Sequence, residues 1–368
     1  MPANSPREMT GTRAGRDYHR RPHEQTLLLP AKAHQPVSEP VAPTAHSSLG
    51  GRLIAFAMLL VGALPEWLAR ALAALAAPLL YFATLLRERI VEPRGRGMFR
   101  NQRIVFRERW TPAFGRALMW RWARHMTELA VDFCRMPRIN ASNIDVWVNT
   151  RQIELMRPLM AGGRGLISVT GHVGLWEMCG HLWALKGLPI TILARPLTDL
   201  ALEQRINAIR TSGGERVLSK WGSLWSLKSA LDRGEAIGIA GDENARDQGV
   251  YVPFLGTLAS SHTMPAVLHR LTGVPIIVVS CHRLRTRRPR FVLCLWEVIR
   301  HTPTADRAAD IVAITARVQR AIGRSVLAFP EQWLWGARRY YSRPPGEVAG
   351  ADGLPPRADS VIKVGGDE

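Results

Sequence analysis

The longest apolar run in the chain lies near its N-terminal end. It extends from Leu53 to Leu64 and again from Leu68 to Leu86, interrupted by Pro65, Glu66, Arg70 and Pro78. A stretch of that length exceeds the roughly 20 residues that cross a bilayer, and its interruptions equally suit two helices lying in the membrane interface. Two core helices of a soluble protein would read the same way. The run begins too far into the chain for an ordinary signal peptide. After it the pattern changes. Thr111 and Pro112 read as the N-cap and first residue of a helix reaching about Cys134, with Trp120, Met126, Leu129, Val131 and Phe133 among its apolar positions. Beyond it, short apolar runs read as strands: IDVWV, GLISVT, PITILA, AIGIA, VYVPF, PIIVVSC and RFVLCLWEVI. They alternate with helical patterns near 152–161, 174–185, 199–212, 222–233, 262–272 and 306–322. This alternation predicts an α/β domain whose mainly parallel sheet is flanked by helices.

Residues 1–50 are rich in Pro, His, Arg, Ser and Thr without an apolar period, so they cannot bury enough surface to offset chain entropy. The expected organisation is a disordered extension (1–50), a membrane-associated helical segment (51–90), one catalytic domain (91–347) and a flexible tail (348–368). The formal charge of +19 arises from 44 Arg and 5 Lys against 30 acidic residues. Such a surface favours acidic partners: nucleic acid, anionic lipid, phosphorylated substrates or an acidic carrier protein. Charge alone does not choose among them. Its distribution adds more, because residues 87–109 carry eight arginines while the 20 residues before Leu53 contain only Arg52. The positive-inside rule then places the C-terminal domain in the cytoplasm, and arginines beside an apolar segment hold anionic headgroups at about 1 kcal/mol each. The four cysteines match neither a zinc site nor a disulfide scaffold, as expected in a reduced compartment.

The stretch LISVTGHVGLWEMCG, residues 166–180, begins as a buried strand and ends as a helix. His172 falls in the turn between them, beyond the carboxyl end of the strand, where open α/β folds place their ligands. Glu177 follows five residues later and can meet His172 only if the histidine is in the loop and the glutamate in the first turns of the helix. The flanking glycines permit such a reversal. A histidine there can take a proton from a hydroxyl, while a carboxylate fixes its tautomer. Neither a GxSxG elbow nor a loop cysteine supplies a protein nucleophile, so the pair suits direct attack of a substrate hydroxyl on an activated acyl group. Taken alone, His-x4-Glu is equally explained by a satisfied histidine at a strand end.

The surrounding blocks narrow the choice. GHVGLWE resembles the His-x4-Asp/Glu block of the lysophospholipid acyltransferase superfamily, and specifically of the bacterial lipid A biosynthesis (late, or secondary) acyltransferases. Three further blocks resemble that family in the same order: ARPLTDLALEQRINAIRTSGGERVL, GDENARDQGVYVPFLGTLASSHTMPAVLHRLTGVPII and FPEQWLWGARRYYSRPPGE. The apolar segment followed by MFRNQRIVF fits as well, so the resemblance spans roughly 53–347. It implies a lysophospholipid acyltransferase-like fold, with His172 as general base and Glu177 as its partner. It also implies that Arg195 binds the acceptor's phosphate or the oxyanion, and that Asp242 and Glu331 are acidic acceptor-site positions. Without the family, Arg195 reads as a surface ion-pair partner, Asp242 as a turn former and Glu331 as a carboxylate at a helix N-terminus. Leu175 stands where the family usually has Asn, and Asn244 where a second Asp is common. The implied reaction carries a fatty acyl chain from an acyl carrier protein, or from acyl coenzyme A, to a hydroxyl of a glycolipid, a lipid A precursor above all. A lysophospholipid, a mannosylated phosphoinositide or an ornithine lipid is the alternative acceptor. The implied location is the cell inner membrane, on its cytoplasmic side, against anionic lipids. An inert adaptor binding anionic lipid or nucleic acid would have no use for a base at a strand end, so no nucleic-acid partner is expected. No P-loop, GxGxxG or HExxH is present, and no cofactor or metal is expected.

Overall fold

The computed structural model describes residues 46–91, 97–219, 223–288 and 290–358. The apolar run forms two helices, α1 (Leu49–Ala63) and α2 (Glu66–Val91), parted at Pro65. The Ser48 side chain caps α1, accepting from the Gly51 N–H. The chain continues through α3 (Met98–Phe106) and α4 (Pro112–Arg135). Thr111 caps α4 as its sequence predicts, its hydroxyl accepting from the Phe114 N–H at 3.1 Å, with Pro112 in the first turn, where its missing donor costs nothing. There follow α5 (Ile144–Trp147), β1 (Val148–Asn149), α6 (Ile153–Met156), β2 (Leu166–Thr170), α7 (Glu177–Leu185), β3 (Ile190–Ala194), α8 (Leu200–Arg210) and β4 (Arg216–Ser219). The remainder is α9 (Ser223–Asp232), β5 (Ala236–Ala240), β6 (Val250–Phe254), β7 (Thr257–Ser261), α10 (Met264–Thr272), β8 (Ile276–Arg283), β9 (Phe291–Ile299) and α11 (Arg307–Ala328).

Seven strands form one sheet in the order β1-β9-β8-β2-β5-β3-β4. From β8 to β4 neighbours run parallel, and only the β8–β9 pairing is antiparallel. The sheet is therefore the mainly parallel one expected, with β9 and β1 reversed at one edge. Its apolar runs alternate between two cores, as a sheet covered on both faces requires. Ile167 and Val169 of β2, with Ile237 and Ile239 of β5, face α9, α10 and α11. Leu166 and Ala236 face the opposite layer, where α7 contributes Met178, Leu182 and Trp183.

Three readings of the sequence differ from the structure. IDVWV is not a strand but one turn of helix, α5, running into the two-residue β1. The preceding NASN supplies the reason: Asn140 and Asn143 side chains bond nearby backbone N–H groups and wind the chain into a turn. The strands β4 and β7 (RVLS and TLASS) were not expected, and both lack the apolar run that marks the other strands. VYVPF does form a strand, but it pairs with β7 as a separate hairpin outside the main sheet.

The domain limits shift too. Residues 1–45 and 359–368 lie outside the described residues, as do Arg94 and Arg96 of the arginine-rich stretch. Residues 46–50, expected to be disordered, are tied down instead: Ser48 donates to Asp199 Oδ2 from both its N–H (2.9 Å) and its hydroxyl (2.6 Å). Likewise the packed domain runs past 347 to Ala358. Leu354 is buried, and the Ala358 N–H donates to Gly256 O at 2.8 Å.

Among the described residues α2 alone is long and apolar enough to cross a membrane. One of its faces buries Ala69, Ala73, Ala77 and Thr84, small residues that let it lie close along α4. Arg70 pairs with Glu128 and Asp132 of α4, and these also take Arg283 from the end of β8, at 2.7 and 2.9 Å. Its other face, and most of α1, leave large apolar side chains exposed, among them Leu53, Phe56, Leu60, Leu75, Leu79 and Phe82. The pair is thus not a buried core hairpin.

Candidate active site

The carboxyl ends of three adjacent parallel strands carry the residues singled out in the sequence. β2 leads into Gly171 and His172, β5 into Gly241, Asp242 and Glu243, and β3 into Arg195. Residues far apart in the chain come together here because β5 lies between β2 and β3 in the sheet, whatever their order in sequence.

The turn after β2 is held by backbone contacts that only glycine permits. Gly174 has φ +65°, and a Cβ there would meet Cys281 O at 2.2 Å. This close approach lets the Gly174 N–H donate to Gln332 O at 3.0 Å and the Leu175 N–H to Cys281 O at 2.8 Å. At Gly171 a Cβ would meet Ile322 of α11 at 2.7 Å and Asp242 Oδ2 at 3.2 Å. The loop is thereby pinned between β8, α11 and the segment 332–334, and the Leu334 N–H donates to His172 O at 3.0 Å.

His172 Nδ1 lies 2.7 Å from Asp242 Oδ1, and the His172 N–H donates to Oδ2 at 2.9 Å. Oδ2 accepts a second bond from the Trp333 indole N–H at 2.9 Å. Burial by itself pushes the Asp242 carboxyl up, but the His172 charge and these bonds outweigh it and hold the group down at about 2. Burial likewise pushes His172 down, yet the Asp242 charge and hydrogen bond, with Glu243 and Glu177 in the background, raise it to about 9. An ionised Asp242 accepts from Nδ1–H, so the neutral ring keeps its lone pair on Nε2. Among the described residues Nε2 makes no hydrogen bond. Trp176 packs edge-on against the ring, 5.0 Å between centroids.

Glu177 is not the partner of His172. It opens α7, as its sequence position predicts, but its carboxylate engages Arg210 at the end of α8, with contacts of 2.6, 3.1 and 3.1 Å. The reason is topological: the ring's Nδ1 side faces β5, the strand next to β2, and Asp242 occupies that position. Glu177 reaches His172 only through its field. Arg195 sits at the rim, mostly exposed, with Glu243 at 4.0 Å. Glu331 lies in the turn Pro330–Gln332, half-buried, and makes no hydrogen bond or ion pair among the described residues. Its neighbour Gln332 holds Gly174, which places Glu331 on the segment that braces the His172 loop. Sequence reasoning missed the roles of Trp333 and Arg210, although both stand inside the blocks quoted for the resemblance.

The cysteines play no such part. Cys179 and Cys281 are buried, and burial pushes the Cys179 thiol up to about 12 and that of Cys281 well above its ordinary value. A thiolate nucleophile needs the opposite environment. Among the described residues no cluster of three metal-ligating side chains occurs.

Comparison with known proteins now decides the family. Residues 47–342, well over half of the chain, match the family described as bacterial lipid A biosynthesis acyltransferase. The chain belongs to that family. It is similar to the lipid A biosynthesis palmitoleoyltransferase of Escherichia coli (strain K12), 24% identical over 208 residues, covering 56% of this chain and 65% of that protein. The lipid A biosynthesis acyltransferase of Shigella flexneri matches with the same figures. The phosphatidylinositol mannoside acyltransferase of Mycolicibacterium smegmatis is 23% identical over 223 residues, 59% of this chain and 69% of that one. The match thus spans about two thirds of the length of these acyltransferases.

Proposed function

We propose that the protein is a membrane-associated O-acyltransferase that moves a fatty acyl chain from an acyl carrier protein thioester to a hydroxyl of a glycolipid, a lipid A precursor. The observation that carries this reading is the His172–Asp242 pair at the carboxyl end of a parallel strand, with no protein nucleophile bonded to it among the described residues. His172 is the general base. Its Nε2 takes the proton of the acceptor hydroxyl as that oxygen attacks the thioester carbon, while Asp242 holds Nδ1–H and stabilises the imidazolium. The tetrahedral intermediate then expels the thiolate, which recovers the proton from Nε2. Arg195, at the rim, faces the charge that develops on the carbonyl oxygen or the phosphate of the acceptor. Glu331, on the segment that braces the His172 loop, is assigned to acceptor binding together with Arg195. Glu177 serves indirectly, clamping α7 to α8 through Arg210 and adding to the field that keeps His172 basic.

The exposed apolar faces of α1 and α2 support docking on a membrane, and the contacts of α2 along α4 favour helices lying in the interface over a free span. The basic stretch after α2 supports the cytoplasmic face of the inner membrane. A mannosylated phosphoinositide is the alternative acceptor, because one relative carries that activity in its name; acyl coenzyme A is the alternative donor. The test is transfer of a labelled acyl chain from acyl carrier protein to a lipid A precursor, set beside mass spectrometry of lipids from a strain lacking the protein. Unchanged lipids and no transfer would overturn the reading.

A further inference from the structure

Of the arginines that follow the apolar segment, the structure draws two into a cleft. Arg87 at the end of α2 and Arg100 in the first turn of α3 line a hollow of about 90 Å³ together with Arg338, from the C-terminal block. Others are spent elsewhere: Arg107 donates to Thr257 Oγ1 and Pro355 O, and Arg103 lies over the Trp110 ring. Glu88, beside the lining residues Arg87 and Gly97, is already engaged by the Phe99 N–H at 3.0 Å and by Arg87 at 3.5 Å. Three guanidiniums outnumber Glu88, and Glu347, whose charge also reaches Arg100, is itself paired with Arg343, so the concave site is left net positive.

Arg100 shows the strain of that arrangement. It is half-buried, no ion pair joins it to a carboxylate among the described residues, and burial followed by the charges of Arg343, Arg103 and Arg107 pushes its guanidinium down against the opposing charge of Glu347. A bound anion would offset the repulsion among these guanidiniums. Arg338 lines the same hollow from a backbone position that Asn244 helps to fix. The Asn244 side-chain amide donates to Arg338 O at 3.2 Å and to Ser342 Oγ at 3.1 Å. Asn244 also stands two residues from Asp242, so the cleft adjoins the rim of the catalytic site. On its other side are Leu86 and Ile90, exposed on the apolar face of α2.

We infer that Arg87, Arg100 and Arg338 form a binding site for a phosphate monoester, presented at the junction of the apolar helix pair and the catalytic rim. A monoester carries about −1.5 to −2 at neutral pH, which matches the charge of the cleft better than a singly charged diester does. Guanidiniums also offer paired donors that fit its oxygens. The site is separate from Arg195 and does not depend on the acyl-transfer reading.

The test uses the full chain and vesicle flotation. Phosphatidylcholine vesicles are compared with vesicles containing phosphatidic acid, a monoester, or phosphatidylglycerol, a diester, at equal surface charge. Wild type should prefer phosphatidic acid, and Arg100→Gln or Arg338→Gln should each lower that partition about fivefold. Binding to pure phosphatidylcholine, which depends on α1 and α2, should stay constant, and circular dichroism should show each variant folded. Arg109→Gln, an exposed arginine outside the cleft, is the control. Inorganic phosphate at matched ionic strength separates the sources: competition shows that the cleft takes free phosphate, whereas none shows that it needs the ion on a lipid surface. Either result is consistent with the site. No preference for phosphatidic acid over phosphatidylglycerol, or an equal loss in Arg109→Gln, would overturn it and leave only a diffuse basic surface.

Discussion

Replacing Asp242 by Asn separates the carboxylate that serves His172 from the one that merely stands near it. Two donors, the His172 N–H and the Trp333 indole, point at Oδ2, and the ring nitrogen points at Oδ1. An amide in this position must turn its oxygen toward the two donors. Its NH2 then faces Nδ1, which has to accept, so the neutral ring carries its proton on Nε2. That is the wrong tautomer for a base, and the expected loss in the pH-independent rate is about 10⁴-fold. The ionisation moves as well. With Asp242 ionised, His172 is raised to about 9, so at pH 7 only about one ring in a hundred is free to accept a proton. Wild-type kcat/KM should therefore climb with pH up to about 9. In Asp242→Asn the raising charge is gone and burial remains, so the limb should fall to the ordinary 6.5 or below. The assay is the initial rate of acyl transfer measured from below 6.5 to above 9. A plateau within tenfold of wild type, or a limb that stays near 9, would refute the assignment of Asp242.

His172→Ala should lose about 10² to 10⁴ in rate while remaining folded, because Asp242 keeps its bonds from Trp333 and the residue 172 N–H; transfer assays with circular dichroism check both. Glu177→Gln should act chiefly on stability: it strands the half-buried Arg210, at about 3 kcal/mol in a urea titration, and the double variant with Arg210→Gln should lose less than the sum. Gly174→Ala should not yield folded enzyme, since its Cβ would overlap Cys281 O at a positive φ, and soluble expression with circular dichroism measures this. Leu75→Glu with Leu79→Glu should move the protein from pelleted membranes to the supernatant, each lost side chain withdrawing about 1.5 to 3 kcal/mol of apolar burial.

What the sequence showed clearly was whatever local order controls. The Thr111-Pro112 start of α4, the central β2, β3, β5 and β8, and the strand-to-helix turn at His172 all rest on periodicity, capping and glycine placement within a few residues. The elements it hid lack those signals. β7 is small and polar because it pairs only with β6 in a hairpin, and β4 is an edge strand. α5 replaces a strand because the asparagine turn before it wins over an apolar run of five residues.

The misread partner has a deeper cause. Spacing along the chain identifies residues that share one turn or one helix face, and by that measure Glu177 was the nearest acid to His172. A parallel sheet works by another rule. Each crossover returns the chain to the same end of the sheet, so the residues just beyond β2, β5 and β3 assemble at one rim from blocks about 20 to 70 residues apart. The acid that orients His172 had therefore to come from a neighbouring strand end, unless the helix after β2 turned its first residue inward. Arg210 decides that question. By engaging Glu177 through both carboxylate oxygens it draws that side chain toward α8 and leaves the Nδ1 side of the ring to Asp242. The block order in the sequence already contained both answers, since Asp242 and Arg210 each fall within a quoted block. What it lacked was the strand order that makes one of them a neighbour of His172 and the other a neighbour of Glu177.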